Sequence, residues 1–173
     1  VLGMHRSGTS AITRMINLLG VDIGNRFLMP KDDNETGFWE NRLVVELHDR
    51  LFTDLDSRWD DTLPFDKKWL KDDKVAPYKK RLKELVKKEY GKSKVWGVKD
   101  PRTCRFLPLW LEVLEELEVE PHFVFVLRDP ESVAKSLDKR EGFPKDKSLY
   151  LWNEHNLEAE KFSRGYKRSF INF

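Results

Sequence analysis

The sequence predicts an α/β fold in which a parallel sheet carries helices on both faces, and three observations support that expectation. Short apolar runs, VLG at residues 1–3, VWGV at 95–98 and FVFVL at 123–127, alternate with stretches of helical periodicity. The run from Phe123 to Leu127 has no polar interruption, as a strand covered on both faces requires. The octapeptide GMHRSGTS, residues 3–10, stands between the first apolar run and the first helical stretch, giving strand, glycine loop and helix in that order.

Each element has its own local signal. Ile12, Met15, Ile16 and Leu19 recur at helical spacing, and Gly20 supplies a stop. Residues 21–38, with PKDDNETG, read as a loop. A second helix is expected from about Trp39, with Trp39, Leu43, Val44, Leu47 and Leu51 on one face and Glu40 near its N-terminus. Residues 53–74 read as a polar excursion anchored by Trp59, Leu63, Phe65 and Trp69. Val75, Tyr78, Leu82, Leu85, Val86 and Tyr90 make a stripe whose opposite face is the basic run KKRLKELVKKEYGKSK, a solvated helix face or a surface for an anionic partner. VWGVKDPR reads as a strand running into a proline turn, and FLPLWLEVLEEL as a helix from about Pro108. After the FVFVL strand, Asp129 can cap and Pro130 can take the first helical position. A last long helix is expected to carry Trp152, His155, Ala159, Phe162 and Tyr166, before a strand at SFINF.

The 173 residues suit one domain, 1–173, with a substantial core. Because the chain opens in one expected strand and stops in another, we expect it to be incomplete at one or both ends. Its 32 basic and 30 acidic side chains leave a net charge of +2, so nothing global announces a nucleic-acid or membrane partner, and an anion site must be local. The single cysteine, Cys104, excludes an internal disulfide and favours a reducing, cytoplasmic setting; no Cys/His cluster accompanies it, so an ordinary thiol outweighs a nucleophile or a zinc ligand. No run reaches the ~18 apolar residues of a membrane span.

The chemistry lies at three strand ends: Arg6-Ser7-Gly8-Thr9-Ser10, Lys99-Asp100-Pro101-Arg102, and Arg128-Asp129-Pro130 with Ser136. In open α/β sheets, ligands bind beyond the carboxyl ends of the strands. The first cluster is a phosphate cradle in outline. Gly8 allows close backbone approach, consecutive N–H groups and the helix dipole favour an anion, and Thr9 and Ser10 add hydroxyls. The lysine of G-x-x-x-x-G-K-[ST] is replaced by Thr9, while Arg6 supplies a cation inside the loop.

Together, GMHRSGTS, VKDP at 98–101 and RDPESVAKS at 128–136 resemble the sulfotransferase family, especially its bacterial members and, more distantly, the tyrosylprotein sulfotransferases. The resemblance implies a P-loop-type three-layer α/β sandwich and 3′-phosphoadenosine 5′-phosphosulfate as a consumed cosubstrate. Arg6, Ser7, Gly8, Thr9 and Ser10 would hold its 5′-phosphosulfate. Arg128 and Ser136 match the family's R-x-P-x-x-x-x-x-S, which binds the 3′-phosphate, and Lys99 matches a lysine that contacts the reacting group. The family uses His or Glu as general base, and Glu40 in GFWEN is the choice here, ahead of Glu35, His5 and His48. No metal is expected. The acceptor is a hydroxyl or amine on a carbohydrate, lipid, small alcohol or peptide. Family members complete the nucleotide pocket with a glycine- and basic-rich C-terminal segment, which has no counterpart before Phe173.

Alternatives stay open. Arg128 may be traded for an ion pair with Asp129, Lys99 for one with Asp100, Arg102 for one with a surface acid, and Ser136 for an unremarkable helix serine. A P-loop kinase or triphosphatase with an altered loop, using Asp100 or Asp129 for a metal, is the rival enzyme, and a non-catalytic nucleotide-binding module is the rival of another class.

Overall fold

A computed structural model describes residues 1–29 and 37–173. Among these, six α-helices and a parallel sheet are present: α1 (Thr9–Leu18), α2 (Arg42–Asp54), α3 (Ala76–Tyr90), α4 (Leu107–Glu116), β1 (His122–Leu127), α5 (Pro130–Glu141), α6 (Lys145–Phe162) and β2 (Lys167–Asn172). Single 3-10 turns lie at Trp69–Lys71 and Pro101–Cys104.

β1 and β2 pair in parallel, from His122 opposite Lys167 to Leu127 opposite Asn172. Leu2 adds itself to the other edge of β1, donating to Val124 O (2.8 Å) and accepting from Val126 N (2.9 Å). The N-terminal amine of Val1 reaches Val98 O at 2.7 Å, and Asp22 bridges Trp96 in parallel beyond it. The expected strands VLG and VWGV are therefore single bridges rather than ladders, yet they extend the β1–β2 layer in a parallel sense and leave the loop after Leu2, the turn after Val98 and the segment after Leu127 close together.

The main core gathers around Leu2, Leu51, Phe52, Leu82, Phe106, Leu107, Val113 and Phe125, with α2, α3 and α4 packed in succession. A smaller cluster of Met4, Val133, Leu137 and Leu151 ties α5 and α6 beneath the glycine loop. Phe65 and Trp69 of the 53–74 excursion pack on Phe106, as core anchors. None of the helices among the described residues is long and apolar enough to cross a membrane.

Two expected boundaries shift. α2 begins at Arg42, capped by the Asn41 side chain accepting from Leu43 N, so Trp39 and Glu40 precede the helix. α6 ends at Phe162, and Tyr166 lies in the turn before β2, where it meets Phe123 edge-on. The segment 30–36, within the expected loop, and with it Glu35, lies outside the described residues.

Candidate functional site

Gly3 and Gly8 show why the loop needs glycine. Gly3 (φ 145°) runs so close to β1 that a Cβ would meet Val126 O at 2.5 Å, and Gly8 (φ 87°) would drive a Cβ into the Phe173 ring at 2.4 Å. Between them Arg6 adopts φ 68°, a left-handed conformation that costs a non-glycine residue. α1 begins immediately after Gly8 with no side chain capping it, so the first-turn N–H groups of Thr9, Ser10 and Ala11 face a cavity of about 240 Å³. His5, Arg6, Phe38, Glu40, Lys99, Pro101, Arg128 and Arg140 complete its lining.

The motifs from the loop and from the end of β1 meet directly. Arg6 Nε donates to Ser136 Oγ (2.8 Å), across 130 residues of sequence. Arg128 donates through Nη1 to Arg6 O (3.0 Å) and lies over the Phe173 ring, rather than pairing with Asp129. Asp129 is occupied otherwise, accepting from Ser132 N at the start of α5. Ser7 is fully buried, and its Oγ has no hydrogen-bond partner among the described residues.

Glu40 enters from the opposite wall. The backbone brackets it: Leu28 N donates to Glu40 O (3.0 Å), Arg42 N donates to Arg26 O (2.7 Å), and Trp39 turns the chain at φ 55° with its ring between Phe27 and Arg14. The Glu40 carboxylate is buried and meets Lys99 Nζ at 2.5 Å, while Lys99 also donates to Ser10 Oγ (3.2 Å) and Phe38 O (3.0 Å). Those three acceptors match the three protons of an ammonium. Lys99 thus pairs with Glu40, not with its neighbour Asp100. Burial raises the Glu40 carboxyl above the ordinary carboxylate range, against the pull of Lys99 and Arg102.

Behind this pair stands an arm that the sequence did not reveal as a unit. Trp110 Nε1 donates to His48 Nε2 (3.0 Å); an indole can only donate, so the His48 proton sits on Nδ1, directed at Asp100 Oδ2 (2.7 Å). The other Asp100 oxygen accepts from Arg102 N and Nη1, and Arg102 in turn pairs with Asp49 (2.7 Å) and approaches Glu40 at 3.8 Å. Although burial favours the neutral acid, Arg102 and His48 hold Asp100 well below the usual carboxylate range. Arg102 does pair with acids, but largely buried ones. His48 is wholly enclosed, which removes it as a base facing the cavity. No local signal could have found this arm, because its contacts join residues 52 and 62 positions apart.

His5 packs on Trp59 (4.5 Å between rings) and faces His155 (6.2 Å). Burial, reinforced by the Arg102 and Arg140 charges, lowers its imidazole well below the ordinary value. Cys104 is buried, accepts from Gly3 N, and has its thiol pushed up to about 12 by burial, which suits packing rather than nucleophilic attack. Among the described residues no three His, Cys, Asp or Glu side chains are grouped to hold a metal ion.

No protein-family model, curated protein or solved structure matches the chain.

Proposed function

We propose that this protein is a sulfotransferase built on a P-loop-type three-layer α/β sandwich, moving a sulfuryl group from 3′-phosphoadenosine 5′-phosphosulfate to a hydroxyl or amine acceptor. The observation that carries the reading is the convergence of the three motifs on one cavity, above all the Arg6–Ser136 hydrogen bond joining the glycine loop to R-x-P-x-x-x-x-x-S. Gly8, Thr9, Ser10 and the N-terminus of α1 would cradle the 5′-phosphosulfate, Ser7 helping to shape the loop. Arg128 and Ser136 would take the 3′-phosphate, and Arg6 lies between the two groups.

In the reaction the acceptor oxygen or nitrogen attacks sulfur in line, and the bond from sulfur to the 5′-phosphate oxygen breaks. Its electron pair leaves with adenosine 3′,5′-bisphosphate, and the acceptor's proton passes to the Glu40 carboxylate. Arg6 and Lys99 balance charge on the departing oxygen and the sulfuryl oxygens. Reaching a sulfuryl oxygen costs Lys99 one of its three present contacts. Giving up Glu40 would leave that carboxylate buried and uncompensated, hence a stronger base at the moment the sulfuryl group is in place.

The kinase reading has less support. Thr9 stands where lysine should, both oxygens of Asp100 are engaged by His48 and Arg102, and Asp129 caps α5. Thermal stability discriminates between the readings. Adenosine 3′,5′-bisphosphate in EDTA at 100 times its dissociation constant should stabilise the fold by about 2.7 kcal/mol; a response only to ATP with magnesium overturns the proposal. Glu40→Gln should keep bisphosphate binding and lose roughly 10²–10⁴-fold in turnover, whereas binding without turnover across an acceptor panel would favour a nucleotide-binding module.

A further inference from the structure

Arg140 lines the same cavity as Glu40 and Lys99, yet the transfer chemistry gives it no task. It stands one helical turn beyond Ser136 on α5 and so on the same face. Its Nε is held at 2.7 Å by Glu141, and its guanidinium lies over the Trp59 ring at 5.7 Å. Its two terminal nitrogens have no hydrogen-bond partner among the described residues, so the fork is anchored at its base and open at its tip. Trp59 also packs against His5 and Phe143, and His5 Nε2 has no partner among the described residues. The result is a wall of indole, imidazole and guanidinium beside the proposed base.

The charges of the cavity indicate what such a wall would bind. Arg6, Lys99, Arg128 and Arg140 face a single acid, Glu40, and Lys99 and Glu40 neutralise one another. In the proposed donor mode, Arg6 and Arg128 serve the two phosphate groups. Resting on that reading, we propose that Arg140 and Trp59 form an acceptor subsite for a hydroxyl compound that carries its own carboxylate or sulfate on a flat ring. The guanidinium fork would take the anion in two parallel hydrogen bonds and the indole would support the ring. Neutral His5 would add a polar contact without a second charge.

The test uses a matched pair of probes differing only in the anion, 4-nitrophenyl β-glucuronide and 4-nitrophenyl β-glucoside, titrated into the full chain saturated with adenosine 3′,5′-bisphosphate and followed by tryptophan fluorescence. The glucuronide should bind roughly 10- to 100-fold more tightly than the glucoside. Arg140→Gln should abolish that preference and leave glucoside binding as it was, and Arg140→Lys should restore only part of it. Equal binding of the two probes, or binding of neither, overturns the subsite. Separate titration of the bisphosphate isolates the failure: if Arg140→Gln weakens it as strongly as Arg128→Ala does, Arg140 belongs to the donor and the inference falls while the sulfotransferase reading stands. If the bisphosphate does not bind the unaltered protein at all, that reading falls and the subsite falls with it.

Discussion

Asp100 and Arg6 sit at neighbouring strand ends, and both carry charge into the interior, but their surroundings differ. Around Asp100 the polar groups are matched: His48 uses both ring nitrogens, and Asp100 accepts on both oxygens. Around Arg6 the backbone is strained at φ 68°, Ser7 Oγ and His5 Nε2 have no partner among the described residues, and the start of α1 has no side-chain cap. Buried polar groups are ordinarily satisfied, because leaving one unpaired costs about 1–3 kcal/mol. A matched cluster is what stability demands, whereas strain and unspent hydrogen-bonding capacity beside a cavity are where a ligand can repay the cost. The comparison divides the site into a structural arm behind Glu40 and Lys99 and a receptive loop in front of them.

The strongest way to break that division is to damage each side and ask what is lost. Asp100→Asn removes the charge that Arg102 and His48 share in a fully buried setting, and should destabilise the fold by about 3–5 kcal/mol in urea denaturation. Arg128→Ala, on the loop side, should leave unfolding nearly unchanged while weakening bisphosphate binding by roughly 2–5 kcal/mol. If Asp100→Asn proved stable and Arg128→Ala unfolded, the roles would be reversed. The same arm should be sensitive to strong acid. The Asp100 carboxyl is depressed in the folded state, so its contribution is present above its unfolded value near pH 4 and is lost as pH falls below that.

The histidines sharpen the comparison at milder pH. His48 has partners on both nitrogens, but His5 and His155 are buried with Nε2 unpartnered among the described residues. Burial, the largest cause for both, lowers His155 to about 3 and His5 well below its ordinary value. Unfolded imidazoles take up a proton near pH 6.5 while these two stay neutral in the fold. Their stability is therefore complete above about pH 6.5 and is lost on acidification, at about 1.4 kcal/mol per pH unit for each histidine. Urea midpoints between pH 6.5 and 5, above the carboxylate range, should show this slope, and His155→Gln should reduce it by about half. A flat profile in that window would mean that the imidazoles are solvated or paired.

How far the sequence foretold this arrangement depends on the range of the interaction. FVFVL was legible as a strand because burial on both faces leaves a run without polar residues, and Asp129-Pro130 as a helix start because the cap is local. Trp39 misled. Its place on an apolar helical stripe suggested the start of α2, but the chain turns there at positive φ and bridges residues 26–28, which faces Glu40 inward before the helix begins. Tyr166 continued the α6 stripe in spacing only, since Gly165 at φ 89° belongs to the turn that ends the helix. Of the site, the three motifs were legible as motifs. Their meeting was not, because the contacts of Arg6 with Ser136 and of Lys99 with Glu40 span 130 and 59 residues, and no periodicity records a tertiary contact.

The smallest expected effect is also the most specific. Ser136→Ala deletes one hydroxyl, the acceptor for Arg6 Nε at 2.8 Å, from a partly buried position. One such bond contributes about 1 kcal/mol, so the fold should stay near its original stability and bisphosphate affinity should fall roughly fivefold. The loss should depend on which phosphate is present. Adenosine 5′-phosphosulfate, which lacks the 3′-phosphate, should bind the variant and the unaltered protein alike, because the hydroxyl is assigned to the missing group. An equal loss with both ligands would show instead that Ser136 acts through Arg6, by holding the strained loop in shape. Ser136 would then be a support of the 5′ cradle, and Arg128 alone would remain for the 3′-phosphate.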